Sequence, residues 1–253
     1  MSENQLAHQL CPDDCYADKA DVYAQLHYKD TYFLVVECLE NYFDSVWQYS
    51  ARDQLKTLDY GCGAGHSMQL MKRFGFNKMI GIDPSEPMIK KAREVDPGGD
   101  YRLITGDFDW SLFKNYFDLV NSFFVLPALS NTQIVEKYLA NAATILKEGG
   151  TFIIVTTSPE ALSPAYTWLS WDQDFPENHR LHNGSPARIL LKEQGLMLED
   201  TFWAREYLER SFQLHSFTID HLFQPVGRDD DRYPWASEKD TSPFYIYVLK
   251  RSF

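Results

Sequence analysis

Three glycines at alternate positions follow a short apolar run, Gly61, Gly63 and Gly65 in the stretch LDYGCGAGH. Glycine costs backbone entropy on folding, so three so close together favour a turn at which the backbone approaches a ligand closely. An amphipathic segment follows the loop, and the N-terminus of a helix attracts anionic groups through its free N–H groups and its dipole. This loop is therefore the first candidate binding site.

Two carboxylates follow the loop at the ends of the next two predicted strands. Asp83 lies 18 positions after Gly65, in GIDPSEPMIKKAR, where a carboxylate can accept hydrogen bonds from ribose hydroxyls. Asp107 ends the strand within ITGDFDW. The dinucleotide fingerprint GxGxxG would place its third glycine at His66, so the spacing does not favour a pyrophosphate ligand.

Alternating strands and helices position these residues. The predicted strands are TLDYG, KMIGID, YRLITGD, FDLVNSFFVL and TFIIVTT, and a helical pattern separates most of them. Such alternation predicts a parallel sheet with helices on both faces. Ligands of these sheets bind beyond the carboxyl ends of the strands, which is where the glycine loop lies.

Two helices are predicted from their apolar spacing. Residues 30–48 carry an apolar stripe at helical spacing, namely Phe33, Val36, Leu39, Phe43 and Val46. In SNTQIVEKYLANAATILKEGG, the pair Ser130 and Gln133 predicts a capping box, and Gly149 with Gly150 predicts the end of the helix. The apolar face of this helix consists of Ile134, Val135, Tyr138, Leu139, Ala142, Ile145 and Leu146.

The pattern changes after residue 157. SPARILLKEQGLMLEDTFWA predicts two strands joined around Gln194 and Gly195, followed by a short helix in REYLERSF. HSFTIDHLF and SPFYIYVLKRSF predict two more strands, the last of them antiparallel. We expect residues 1–50 to form an N-terminal helical lid, and residues 51–253 a domain in which residues 160–203 are a substrate lid.

The composition of the chain disfavours several classes of function. The 253 residues carry a net charge of −12, which disfavours a nucleic acid partner and an anionic membrane surface. MSENQLAHQL has no secretory signal pattern and no apolar run could span a bilayer, so we expect a cytoplasmic protein. Cys11 and Cys15 lack a second pair for zinc, and Asp229–Asp231 predict a solvated loop, so we expect no metal.

These motifs, in this order, resemble the class I S-adenosylmethionine-dependent methyltransferase family. The resemblance runs from Thr57 to Val155 through LDYGCGAGH, GIDPSEPM, GDFDW, FDLVNSFFVL and ILKEGGTFIIV. It implies an α/β fold: a Rossmann-like, seven-stranded, mostly parallel sheet with helices on both faces, an antiparallel last strand and a hairpin lid inserted after strand 5. S-adenosyl-L-methionine is the implied cofactor.

By position, the resemblance assigns cofactor contacts to Asp59, Gly61, Cys62, Gly63, Gly65, Asp83, Pro84, Met88, Asp107, Phe108, Ser122 and Phe123. The glycine loop would wrap the methionine part, with Asp59 near its ammonium group. Asp83 would accept from the ribose hydroxyls, and Met88 would pack on the adenine.

The remaining implied contacts lie at the ends of strands 3 and 4. Asp107 would accept from the adenine amino group, and the Phe108 backbone N–H would meet a ring nitrogen. Ser122 and Phe123 would face the cofactor near the sulfonium. The stretch Asn121–Phe124 lacks both prolines of the (N/D)PP(Y/F) motif, so amide or adenine nitrogen methylation is disfavoured.

Candidate catalytic residues come from the two lids. CYADKADVYAQLHY resembles the lid of such enzymes and contains Tyr16 and Tyr23, with His27 as a weaker candidate. The alternative is an amphipathic helix that packs on the domain. His179 and His182 follow an aromatic-rich stretch that could line a pocket, although they could equally be exposed loop residues. A side-chain base is optional, because the acceptor can also lose its proton to water.

We therefore expect direct in-line transfer of a methyl group to a nitrogen or oxygen of a small metabolite, with aromatic and heterocyclic compounds as candidates. The part after strand 5 is loosely similar to the toxoflavin N-methyltransferase group of bacterial secondary metabolism. Two alternatives stay open: an RNA or protein methyltransferase with the same cofactor, and a non-catalytic protein that binds the cofactor.

Overall fold

A mixed seven-stranded sheet organises the part of the chain that the structure, a computed structural model, describes: residues 32–106, 108–159, 166–192 and 195–252. Its strands in spatial order are β3 (Asp100–Leu103), β2 (Met79–Asp83), β1 (Thr57–Tyr60), β4 (Phe117–Phe123), β5 (Leu146–Thr157), β10 (Phe244–Arg251) and β9 (Phe217–Phe223). The first five are parallel, and β10 is antiparallel to both of its neighbours. The predicted sheet and its antiparallel last strand are confirmed.

Helices cover both faces of this sheet. They are α1 (Phe33–Val46), α2 (Tyr49–Arg52), α3 (His66–Arg73), α4 (Glu86–Val95), α5 (Thr132–Ile145) and α6 (Arg205–Leu214). One face buries α1, α3 and α4 in a core that includes Phe43, Met71 and Ile89. The other face buries α5 and α6, through side chains such as Leu139 and Phe212.

Three local predictions are corrected. The buried face of α1 contains Leu34, Val35, Leu39, Tyr42 and Phe43, whereas Val46 is 43% exposed. The side chain of Asn131, and not a Ser130 capping box, caps α5 by accepting from the N–H of Ile134. That helix ends at Ile145, and β5 begins at once, so Gly149 and Gly150 lie within the strand.

A smaller three-stranded antiparallel sheet follows β5. It consists of β6 (Leu169–Trp171), β7 (Pro186–Leu191) and β8 (Leu196–Thr201). The predicted hairpin is β7 with β8, and β6 is an additional strand that the sequence pattern did not indicate. Buried side chains of this sheet, including Leu169, Trp171 and Ile189, join the same core as α1 and α3, so the sheet covers the main sheet near the carboxyl ends of the strands.

The helices of the described ranges were also compared with the length and hydropathy that a bilayer requires. None of them is both long and apolar enough to cross a membrane.

Candidate functional site

A cavity of about 240 Å³ lies between the carboxyl ends of the central parallel strands and the smaller sheet. Its walls are formed by Tyr32, Gly61, Cys62, Gly63, Ala64, His66, Ser67, Asp83, Pro84, Met88, Phe123, Phe124, Val125, Pro127, Ala128, Leu129, Thr157, Trp168, Leu169, Ile189, Leu191, Leu198, Asp200 and Phe244. The glycine loop and the lid therefore meet around one space, at the edge where parallel sheets bind ligands.

The glycine loop is held in a conformation that needs glycine at two positions. Gly61 and Gly65 have φ of 81° and 87°, and a Cβ there would overlap Val125 and Tyr101, respectively. Gly65 is the N-cap residue of α3, although it does not line the cavity. A Cβ at Gly63 would meet no protein atom within 4 Å, so the backbone there borders open space.

Asp83 joins the end of β2 to the glycine loop. Its Oδ2 accepts from the N–H of Gly63 at 2.9 Å, and its Oδ1 accepts from the N–H of Ser85 at 2.9 Å. The residue is 8% exposed and lines the cavity. A carboxylate has about four lone-pair sites, so it can accept several hydrogen bonds at once.

Asp59 does not line the cavity and is fully buried behind the loop. Its Oδ2 accepts from the hydroxyl of Ser67 at 2.6 Å, and its Oδ1 accepts from the amide of Asn121 at 2.7 Å. Burial raises the pKa of Asp59 to about 7, even though these hydrogen bonds lower it. In this structure Asp59 ties β1 to α3 and β4.

The Asp59→Asn variant is expected to lose a pH dependence of stability. Because the folded pKa is about 7 and the ordinary pKa is 3.8, the folded state of the wild type retains a proton that the unfolded state releases. The contribution of Asp59 to the stability of the wild type therefore falls between about pH 4 and pH 7, by on the order of 3 kcal/mol. The measurement is urea unfolding at several pH values.

The control is Ser67→Ala, which removes one hydrogen bond that lowers the pKa of Asp59 but keeps the carboxyl group. In that variant, stability should still fall with rising pH, and the fall should continue to a higher pH because the pKa of Asp59 is higher. Equal slopes in the wild type and Asp59→Asn would show that Asp59 does not titrate in this range.

The end of β4 turns sharply into the cavity. Ser122 points to the opposite face, where its hydroxyl donates to the carbonyl of Tyr60 at 2.8 Å, whereas Phe123 lines the cavity. Phe124 has a φ of 59°, which is unusual for a bulky residue, and its N–H donates to the carbonyl of Val155 at 2.7 Å. Such backbone strain persists where surrounding contacts enforce it, and it clusters at functional sites.

Four aromatic side chains form the wall of the cavity away from the glycine loop. The ring centroid of Tyr32 lies 4.6 Å from Trp168, 5.1 Å from Phe124 and 5.5 Å from Phe244. Trp168 belongs to the aromatic-rich stretch before His179 that the sequence predicted could line a pocket, whereas the other three were not predicted. Tyr32 precedes α1, Phe124 follows β4 and Phe244 begins β10, and no local spacing relates segments so far apart in the chain.

The other predicted residues are distributed as follows. Cys62, Pro84 and Met88 line the cavity, while the N–H of Phe108 donates to the carbonyl of Thr105, and Phe108 lies outside the cavity wall. Asp107, Tyr16, Tyr23 and His27 lie outside the described residues.

The two lid histidines are exposed and do not line the cavity. Nε2 of His179 lies 2.8 Å from the carbonyl oxygen of Gln173, and Nδ1 of His182 lies 2.7 Å from Oγ of Ser185. The structure therefore brings neither imidazole to the site. The described ranges also contain no group of three His, Cys, Asp or Glu side chains that could hold a metal ion.

Comparison with known proteins connects this geometry to a family. A family model described as "Methyltransferase domain" matches residues 39–222, which is most of the chain. The sterol 24-C-methyltransferase of Yarrowia lipolytica is 24% identical over 189 residues, covering 72% of this chain and 44% of that protein. The ubiquinone biosynthesis O-methyltransferase of Maricaulis maris is 29% identical over 155 residues, covering 57% and 59% of the two chains.

Among solved structures, an S-adenosylmethionine-dependent methyltransferase from Mesorhizobium loti has the same fold. It superposes with a TM-score of 0.55 at 21% identity and covers 78% of this chain and 91% of its own. The chain spans about half the length of the sterol methyltransferases it matches.

Proposed function

The chain belongs to the class I S-adenosylmethionine-dependent methyltransferase family, and we propose that it transfers a methyl group from S-adenosylmethionine to a nitrogen or oxygen of a small metabolite. One observation carries the proposal: the glycine loop, Asp83 and the aromatic wall surround the same cavity. A cofactor at the loop and an acceptor at the wall would therefore be held side by side, as in-line transfer requires.

The residues of the cavity fit S-adenosylmethionine. Gly63 leaves the loop open toward the ligand, and Asp83 presents a carboxylate with acceptor capacity for ribose hydroxyls. Met88 is 4% exposed and supplies an apolar surface for the adenine ring. When bound, the cofactor supplies a methyl group on a positively charged sulfur.

The chain's own residues exclude water and orient the acceptor. Apolar side chains of the smaller sheet, including Leu169, Ile189 and Leu198, line the cavity opposite the strand ends of the main sheet. Water exclusion strengthens electrostatic interactions inside the site and prevents side reactions. The contacts proposed for Asp107, and for Tyr16 and Tyr23 above the methyl group, rest on the resemblance. No proton transfer is assigned to His179 or His182, which are directed away from the cavity.

Several features support a small acceptor over RNA or protein. No lysine or arginine is among the described residues that line the cavity, whereas a phosphate backbone requires cationic contacts. The overall charge of −12 also disfavours binding of a nucleic acid. The names of the two relatives above refer to a sterol and to the biosynthesis of ubiquinone, and sterols and ubiquinone are small molecules. A cytoplasmic location and a role in secondary metabolism belong to the same proposal.

The test is calorimetric titration with S-adenosylmethionine and S-adenosylhomocysteine, followed by a transfer assay with the methyl-labelled cofactor. The assay compares small amines, phenols and alcohols with transfer RNA and with an unfolded protein. We expect both cofactors to bind and label to appear on small acceptors. Label confined to RNA or protein would overturn the small-molecule proposal, and binding without transfer to any acceptor would favour the non-catalytic alternative.

A further inference from the structure

The cavity has two chemically different ends. The cofactor end contains the glycine loop and Asp83, both at the carboxyl ends of β1 and β2. The far end, here called the acceptor end, is formed by Tyr32, Phe124, Trp168 and Phe244 together with the inner face of the smaller sheet. Most of the acceptor end is apolar.

The acceptor end also contains an acidic side chain, that of Asp200. It lies on β8, where alternate residues face the cavity: Leu198 and Asp200 line it, whereas Met197 and Glu199 are exposed. Among the described residues that line the cavity, the acidic side chains are Asp83 and Asp200. Asp83 is part of the cofactor end, so Asp200 is the anionic group of the acceptor end.

The aromatic wall next to Asp200 suits a cationic ligand. Three ring centroids lie within 5.5 Å of that of Tyr32, so the rings form one continuous surface. A cation over an aromatic face is attracted by the ring quadrupole, and the attraction grows when water is excluded. A carboxylate and several aromatic faces together form a site for an ammonium group on an apolar molecule.

Asp200 also lines a second, smaller cavity on its other side. This space measures about 20 Å³, which is enough for one water molecule, and its wall includes Thr156, Ser158 and Thr201. Hydroxyl groups there can hold a water within reach of the carboxylate. Asp200 thus lines both the acceptor end and this smaller space, whose hydroxyl groups could pass on a proton.

From this placement we propose that the acceptor is an aliphatic amine on an apolar or aromatic molecule, and that Asp200 binds its ammonium group and removes one proton. The inference rests on the proposed function and names the substrate class of the same cavity.

The step balances as follows. The ammonium R–NH₃⁺ gives one proton to the carboxylate of Asp200, which leaves the neutral amine with a lone pair. The lone pair forms the new N–C bond as the C–S bond of the donor breaks, and that electron pair stays on sulfur. The product is R–NH₂–CH₃⁺, and the proton on Asp200 leaves through water in the smaller cavity.

Tyr32 is not suited to this proton transfer. Burial raises the pKa of its phenol well above the usual range, and the nearby charge of Asp200 raises it further. The phenol therefore remains protonated at neutral pH and serves as an aromatic face and a hydrogen-bond donor. The carboxylate of Asp200 is the group that can accept the proton.

The experiment is calorimetric titration of the protein saturated with S-adenosylhomocysteine. The three probes share one phenyl group and differ in charge: 2-phenylethylamine, 2-phenylethanol and phenylacetate. We expect the amine to bind at least tenfold more tightly than the alcohol and the acid. Asp200→Asn should reduce amine affinity at least tenfold and abolish the charge preference, while leaving affinity for S-adenosylhomocysteine within twofold.

Glu199→Gln is the matched control, since it removes the same charge from the neighbouring residue of β8, which is exposed and paired with Arg188. It should leave both affinities unchanged. Equal binding of the three probes, binding of none of them, or an amine affinity unaffected by Asp200→Asn would each overturn the inference. If S-adenosylhomocysteine itself fails to bind, the proposed function falls, and that result is distinguishable because it precedes any acceptor titration.

Discussion

Replacement of Asp83 by alanine is expected to weaken binding of S-adenosylmethionine by about 1–3 kcal/mol, or roughly 5- to 150-fold. The carboxylate lines the cavity and holds the N–H groups of Gly63 and Ser85 at 2.9 Å each. The variant therefore loses a proposed acceptor for the ribose hydroxyls and also frees the loop that the ligand contacts. Isothermal titration with the wild type and variant measures the difference.

Two further variants separate these effects. Asp83→Asn keeps the shape of the side chain and one acceptor oxygen, so it should weaken binding less than alanine does. Asp100→Asn is the control, since it removes a carboxylate of similar size that is exposed and paired with Arg102. Unchanged affinity in Asp83→Ala, with an unchanged unfolding midpoint, would show that the cofactor does not contact this carboxylate.

Gly61→Ala is expected to destabilise the fold by about 3 kcal/mol, which is a large part of a typical domain's stability. Two costs add up: a φ of 81° strains any residue with a Cβ, and the new methyl group would overlap Cγ2 of Val125. Chemical denaturation of the purified variant gives the loss directly.

Two further variants separate the cost of backbone strain from that of the overlap with Val125 and test whether the cofactor contacts the loop. Gly61→Ala combined with Val125→Ala removes the overlap but keeps the strained φ, so it should recover only part of the stability. Gly63→Ala has room for its Cβ, but its φ of 49° is still left-handed, so it should cost only about 1 kcal/mol of stability while its methyl group lowers cofactor affinity. A Gly61→Ala protein as stable as the wild type would contradict the packing of the loop against Val125.

Much of the fold followed from local patterns. A helical pattern was predicted between most of the strands, and α4 (Glu86–Val95) lies between the second and third of them. The strand sequences and the helical segments between them predicted a parallel sheet with the glycine loop at its carboxyl edge, and this is confirmed. Apolar periodicity and glycine torsions act over a few residues, so the sequence alone can show them.

The direction of individual side chains could not be predicted from the sequence. Ser122 and Phe123 are neighbours on one strand and therefore point to opposite faces, and only Phe123 reaches the cavity. In α5, the side chain of Asn131 supplies the cap, because its position at the helix start, and not the pattern S-x-x-Q, places an oxygen next to a free N–H. Both outcomes depend on packing that neighbouring segments impose.

The sequence by itself determined the strand and helix order, the glycine loop and the carboxylate at the end of β2, because each depends on local backbone geometry. Only the tertiary structure brought together, at one wall, Tyr32 before α1, Phe124 after β4, Asp200 of β8 and Phe244 of β10. It also placed His179 and His182 away from that wall. Contacts between distant segments depend on how whole elements pack together, and no spacing along the chain encodes them.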